Sequence, residues 1–183
     1  MQENINTLIT IFGLILSVVS IISAKRTEEK LRAIKLVCKI NDQHILSEEE
    51  RQVFGCHAVP IPVLIKNKFE SMFKDVFVII VDNRREEHVD RKGRLLNNIR
   101  GSLEIGYYGY IEEMIDDSEI LVPSGGHGMN KRLGLVLLYE DVTGKQWVRD
   151  SDGKIYKSKN MMEQLFSLGL PIPGYETHIT YRK

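Results

Sequence analysis

Residues 132–157 read RLGLVLLYEDVTGKQWVRDSDGKIYK, and this stretch sets the fold class. Successive side chains of a strand point to opposite faces, so Arg132 to Asp141 places Leu133, Leu135, Leu137 and Tyr139 on one face. Thr143-Gly144 turns the chain and Lys145 to Arg149 returns. Asp152-Gly153 turns it again before Lys154 to Lys157. Gly tolerates positive φ, so turns containing it between alternating segments signal hairpins. The stretch therefore predicts a three-stranded meander. Beyond it, Lys159 to Leu168 predicts a short helix ended by Gly169 and Pro171, and Thr177 to Tyr181 one further strand.

Upstream the same alphabet recurs. Ile34 to Ile40 predicts a first strand, and Ser47-Glu48-Glu49-Glu50 a capping box that opens a short helix stopping by Gly55. Ala58 to Asn67 is rich in Val and Ile, but Pro60 and Pro62 confine its start to an edge position. Val76 to Val81, inside Asp75 to Asp82, is an unbroken apolar run of the kind buried on both faces. Ser102 to Ile111 alternates Leu103, Ile105 and Tyr107 against Glu104, Gly106 and Tyr108, which predicts a half-buried strand. Glu119 to Val122 predicts a short strand ahead of the Pro123 to Gly128 loop. The charge run Asn83 to Arg94 reads as a solvated loop. Glu86, Glu87 and Asp90 dilute its basic end, Lys92-Gly93-Arg94, which ranks a nucleic-acid or phospholipid contact below that reading.

About seven strands with frequent turns over roughly 130 residues suggest a β-sandwich. The strands Val59 to Asn67 and Val76 to Asn83, then Leu135 to Asp141 followed by Gly144-Lys145-Gln146-Trp147, carry a resemblance. Over Ile34 to Lys157 the chain resembles the immunoglobulin-like domains of small, uncharacterised bacterial single-pass membrane proteins. The likeness is one of strands and turns, so it implies a fold and no activity. No cysteine pair flanks a buried Trp, as an antibody-type domain would have. The expected fold class is mainly β: an immunoglobulin-like antiparallel β-sandwich with one or two short helices, preceded by a single N-terminal transmembrane helix. The expected organisation is an anchor at 1–25, a helical juxtamembrane linker at 26–33, the β-sandwich at 34–158, and a short helix and tail at 159–183.

The anchor is read from Ile5 to Ala24, which holds no charged residue. At about 1.5 Å per residue such a helix is roughly 30 Å long and matches the hydrocarbon core. A cleaved signal peptide would carry a basic n-region and small residues before the cut. Met1-Gln2-Glu3-Asn4 has no Lys or Arg, and Ile22 is bulky, so a retained anchor is expected. Lys25, Arg26, Lys30, Arg32 and Lys35 follow the helix, and basic flanks stay in the cytoplasm. The expected location is the inner or plasma membrane, with the N-terminus outside and the main domain cytosolic. Cys38 and Cys56 would then be reduced.

Asn6, Thr10, Gly13, Ser17, Ser20 and Ala24 recur at alternating spacings of four and three, which lays small and polar residues along one stripe of the helix. In lipid, close packing of small residues and hydrogen bonds between polar ones draw helices together. The stripe is thus a candidate packing surface for self-association or for another membrane helix. The bland alternative is that the hydroxyls bond back to their own backbone. Thr7 and Ser23 lie off the stripe and favour that alternative.

Composition and motifs narrow the chemistry. With 25 basic and 25 acidic residues the chain has no basic surplus, which argues against a nucleic-acid partner. Gly125-Gly126-His127-Gly128-Met129-Asn130-Lys131 lacks the second Gly directly before Lys and the following Ser or Thr of a P-loop, and it leads into a strand. Cys38, His44, Cys56 and His57 lack the paired spacing of a zinc site, so no metal and no cofactor is expected. There is no Gly-x-Ser-x-Gly and no His-Glu-x-x-His. Glu112-Glu113 and Asp116-Asp117 are adjacent carboxylates whose side chains point apart. Trp147 and Arg149 share a strand face, either as a ligand-facing cation and ring or as cover for the sandwich edge.

These readings lead to a membrane-tethered cytosolic binding or interaction module, not an enzyme. Its partners would be the membrane, an unidentified protein, and a second copy through the anchor stripe. One alternative is a membrane effector, whose anchors cluster and disturb the bilayer when the β domain senses a ligand, as antiphage effectors are built. Another is an accessory subunit of a membrane complex.

Overall fold

The computed structural model describes residues 2–68, 71–82, 86–90, 92–125, 132–172 and 179–180. The chain forms two compact units, Met1–Ile34 and Lys35–Lys183. The first is one helix, α1 (Gln2–Ala33). Its stretch Ile9–Ala33 is long and apolar enough to cross a membrane, and its most apolar window is wholly unburied. Helix is the form that satisfies every backbone N–H and C=O within a single segment, which an apolar solvent demands. Past Ala24 the helix continues without a break, with an Arg32–Glu28 ion pair one turn apart near its end.

The second unit is mainly β. In chain order it holds β1 (Leu36–Ile40), α2 (Glu48–Gln52), β2 (Val59–Asn67), β3 (Phe73–Val81), α3 (Asn97–Ile105), β4 (Tyr108–Met114), β5 (Ser118–Ser124), β6 (Gly134–Asp141), β7 (Gln146–Arg149), β8 (Ile155–Ser158), α4 (Met161–Ser167) and β9 (Ile179–Thr180). Two sheets result, ordered β1-β2-β5-β9 and β4-β3-β6-β7-β8. Every neighbouring pair is antiparallel. The two sheets meet closely at Gly109 of β4, where a Cβ would lie 2.6 Å from Ile120 Cδ1 and 3.0 Å from Val122 Cγ2 of β5. Phe73 and Tyr139, on neighbouring strands, add an edge-to-face ring pair at 5.4 Å.

The five-stranded sheet is covered on both faces. Phe77, Ile79 and Val81 of β3, Val136 and Leu138 of β6 and Val148 of β7 pack with Ile99 and Leu103 of α3 and with Met161, Met162 and Leu165 of α4. This explains why Val76 to Val81 is apolar without alternation: β3 is central in its sheet and both faces are dry. It also extends the reading of β6, whose second face, Val136 and Leu138, is as buried as Leu137 and Tyr139.

The meander, the capping box and the α4 stop stand as the sequence predicts. Thr143-Gly144 and Asp152-Gly153 turn β6 into β7 and β7 into β8, with Gly144 at φ 72° and Gly153 at φ 81°. Ser47 Oγ accepts from Glu50 N at 3.1 Å, and Ser47 N donates to Glu50 Oε2 at 2.8 Å. β2 lies inside its sheet, yet β1 runs out opposite Val63; just past its end Asn41 N donates to Pro62 O at 2.8 Å, and Pro60 and Pro62 pair in register with β5.

Two expectations need correction. Ser102 to Ile111 is not one strand: α3 runs to Ile105, Gly106 closes it at φ 87°, and β4 begins at Tyr108. The residues that decide this are Ile99 and Leu103, buried four apart at helical spacing, while Ile105 is 67% exposed. The apparent alternation straddled a helix end. The short helices therefore number three among the described residues, α2, α3 and α4, against the one or two expected. The charge run is also only partly solvated: His88 and Val89 are buried, and Val89 bridges to Leu95.

Candidate functional site

One basic concavity starts from the turn that carries Asp90, Lys92, Gly93 and Arg94. The Asp90 carboxylate accepts from Lys92 N at 2.8 Å and from Arg94 N at 2.9 Å through Oδ1, and from Arg94 Nε at 2.7 Å through Oδ2. Asp90 N donates back to Arg94 O at 3.0 Å, and Gly93 N to Asp90 O at 2.9 Å. The Arg94 bonds draw the Asp90 carboxyl below its usual range, with Lys92 N helping. Gly93 is forced twice over. Its φ is +74°, and a Cβ there would lie 3.1 Å from Lys157 O and 3.3 Å from Ser158 Cα. The turn thus seats its backbone against the end of β8. The result is a groove of about 740 Å³ walled by Lys92 and Arg94 on one side and by Lys157, Lys159, Asn160 and Glu163 on the other.

A second groove, of about 680 Å³, includes His44, Arg51, Cys56 and His57 in its lining. His44 is turned to carboxylates: Nδ1 is 2.8 Å from Glu119 Oε1, and Nε2 is 3.2 Å from the Glu50 carboxylate. Glu119 is 1% exposed and also accepts from Asn41 Nδ2 at 2.7 Å. The Ser47 backbone N–H lowers the pKa of Glu50, and His44 adds to the effect. These bonds tie the Asn41–Ser47 segment and α2 to β5. Replacing His44 by Ala removes one of the groups that hold a buried carboxylate, which costs on the order of 2–3 kcal/mol. A denaturant midpoint unchanged in His44→Ala would refute that role.

Of the four thiol and imidazole residues considered for a metal, the structure brings His44, Cys56 and His57 to that groove and leaves Cys38 out of its lining. Among the described residues no group of three or more His, Cys, Asp or Glu is arranged to hold a metal ion. Cys56 Sγ is 3.8 Å from His57 Nε2. Burial pushes the Cys38 thiol up to about 11, which makes it a poor nucleophile.

The other candidates resolve structurally. Trp147 is buried and donates from Nε1 to Asp141 Oδ2 at 2.9 Å, which places its ring in the core. Asp117 Oδ1 accepts from Asn67 N at 2.8 Å, and Glu113 pairs with Lys74 at 3.4 Å. Gly126 to Lys131 of the glycine-rich loop lie outside the described residues. On α1, Thr10, Gly13, Ser17, Ser20 and Ala24 are all exposed, while the side chain of Asn6 lies outside the described residues. Ser17 Oγ donates to Gly13 O at 2.9 Å, and off the stripe Thr27 Oγ1 does the same to Ser23 O at 3.0 Å.

The basic groove escaped the sequence because its walls are more than sixty residues apart. The signal present was Lys92-Gly93-Arg94, a Gly between two cations after an Asp. No protein-family model matches the chain, nor does any curated protein or solved structure.

Proposed function

We propose that this chain is a single-pass membrane protein whose β unit is a cytosolic binding module held at the inner or plasma membrane. One observation carries the reading: Ile9–Ala33 is a helix of spanning length whose most apolar window is entirely unburied. Ile9, Phe12, Leu14 and Ile21 are each more than 60% exposed, a surface that water penalises by about 25 cal/mol per Å² and lipid does not. The basic residues Lys25, Arg26, Lys30 and Arg32 lie at its C-terminal end, past the uncharged stretch that closes at Ala24, which favours a cytosolic β unit.

The immunoglobulin-like reading of the β unit belongs to the same proposal. Strands β1, β2 and β5 run in the order of the A, B and E strands of such domains. Strands β4, β3, β6 and β7 run in the order C′, C, F and G. β9 stands beside β5 where a D strand would be, and β8 adds an edge.

The test is extraction of cell membranes with alkaline carbonate, followed by protease treatment from each side. The chain should stay in the pellet, and the β unit should become cleavable only after the membrane is opened. Release into the supernatant would sink the tether, and cleavage from outside would reverse the orientation.

The anchor stripe extends the proposal to pairing of α1 helices, the step on which the effector reading depends. Gly13→Leu with Ser17→Leu should then abolish crosslinked dimers in native membranes. Dimers that survive the pair of changes would leave the stripe with its backbone-bonding role alone.

A further inference from the structure

We propose that the groove between the Asp90–Arg94 turn and the β8–α4 link is a binding site for a small phosphate-bearing ligand, and that this is what the tethered module recognises. The inference rests on the binding-module reading for its biological use, but not for its chemistry. Four cations, Lys92, Arg94, Lys157 and Lys159, line one concavity of about 740 Å³, faced from within by Glu163. Within the lining itself four cations stand with one carboxylate, Glu163, and behind the turn Asp90 borders a separate acidic cavity with Glu86, Glu87, Asp150 and Asp152. A concavity lined mainly by cations raises the local concentration of anions, which favours an anionic occupant.

The gathering is also built into the backbone. Gly93 brings the turn against the end of β8, where a Cβ would crowd Lys157 O and Ser158 Cα, and Asp90 fixes the two residues that flank it. Asp90 holds the Nε edge of Arg94, which orients the guanidinium as a fork. Lys side chains add compact point charges, the usual complement to a phosphoryl group. Asn160 and Gln164 supply neutral polar groups on the α4 side. The volume lies within the range of about 300–1,000 Å³ typical of small-molecule sites and is larger than a bare phosphate needs. The ligand class is therefore a phosphorylated molecule of nucleotide or inositol-headgroup size.

The test uses the full chain in neutral detergent, with ATP and inositol 1,4,5-trisphosphate as separate calorimetric probes. At least one should bind saturably at a single site. Lys92→Glu with Lys159→Glu should weaken it by about tenfold or more, since each decade is about 1.4 kcal/mol. Lys92→Gln with Lys159→Gln serves if the reversals disturb folding. Lys39→Glu with Lys66→Glu, both exposed and outside the groove lining, should leave affinity unchanged. Binding of ATP alone assigns a soluble ligand, and binding of the inositol phosphate alone a lipid headgroup; either supports the site. No binding of either at millimolar concentration would overturn it, as would equal weakening by the control pair. The tether fails separately, in the carbonate extraction.

Discussion

Asp141→Ala is expected to destabilise the β unit by about 2–3 kcal/mol, a sizeable part of the roughly 5–15 kcal/mol by which such domains are stable. The carboxylate is 3% exposed and organises the whole β6–β7 turn. Oδ1 accepts from Thr143 N at 2.8 Å, Thr143 Oγ1 at 2.6 Å and Lys145 N at 3.2 Å, while Oδ2 accepts from Trp147 Nε1 at 2.9 Å. Alanine would strand the buried indole N–H together with the turn donors. Burial by itself would raise the Asp141 pKa. The bonds from Thr143 and Trp147, joined by the backbone N–H of Thr143 and Lys145, outweigh it and bring the pKa below the usual aspartate range. A depressed folded pKa gives stability that is full above the unfolded value and fades as pH falls through the folded one. The stability gap between the parent chain and Asp141→Asn should therefore narrow only below about pH 4. Equilibrium denaturation across pH 2–7 checks both statements; a gap that stayed constant to pH 2 would mean that the charge of Asp141 contributes nothing.

The second large effect concerns the other unit. Leu16 and Val19 lie near the middle of the apolar stretch of α1 and are more than half exposed. An arginine at the centre of a spanning helix costs about 2.5–3.5 kcal/mol on insertion scales. Leu16→Arg with Val19→Arg should thus remove on the order of 5–7 kcal/mol from insertion and move the chain from the carbonate-resistant pellet to the supernatant. The β unit, a separate compact body, should keep its thermal midpoint. A double variant that stays in the pellet would show that something besides α1 holds the chain to membranes.

The sequence carried these features unevenly, and the residues explain why. Local signals survived: Gly144 and Gly153 need positive φ, Ser47 and Glu50 cap each other, and Gly169 ends α4 at φ 72°. Signals that depend on a third layer did not. Val136 and Leu138 lie opposite the face that alternation picks out, and α3 and α4 bury them from far along the chain. α3 itself was hidden because its buried pair, Ile99 and Leu103, overlaps a stretch whose later residues belong to β4. Of the candidate sites, the set of four thiol and imidazole residues loses Cys38, which lies outside the groove that His44, Cys56 and His57 line. The basic groove could not be read in one dimension, since Lys92 and Lys157 meet only through the docking of Gly93.

That docking has a thermodynamic consequence. Val89 and Leu95, which flank the turn, and Met161, Met162 and Leu165 of α4 all belong to one buried cluster. The two walls of the groove are therefore set in a common foundation and cannot drift apart without opening it. A ligand entering there would find the backbone of both walls already placed, so its remaining ordering cost would be that of the exposed Lys and Arg side chains.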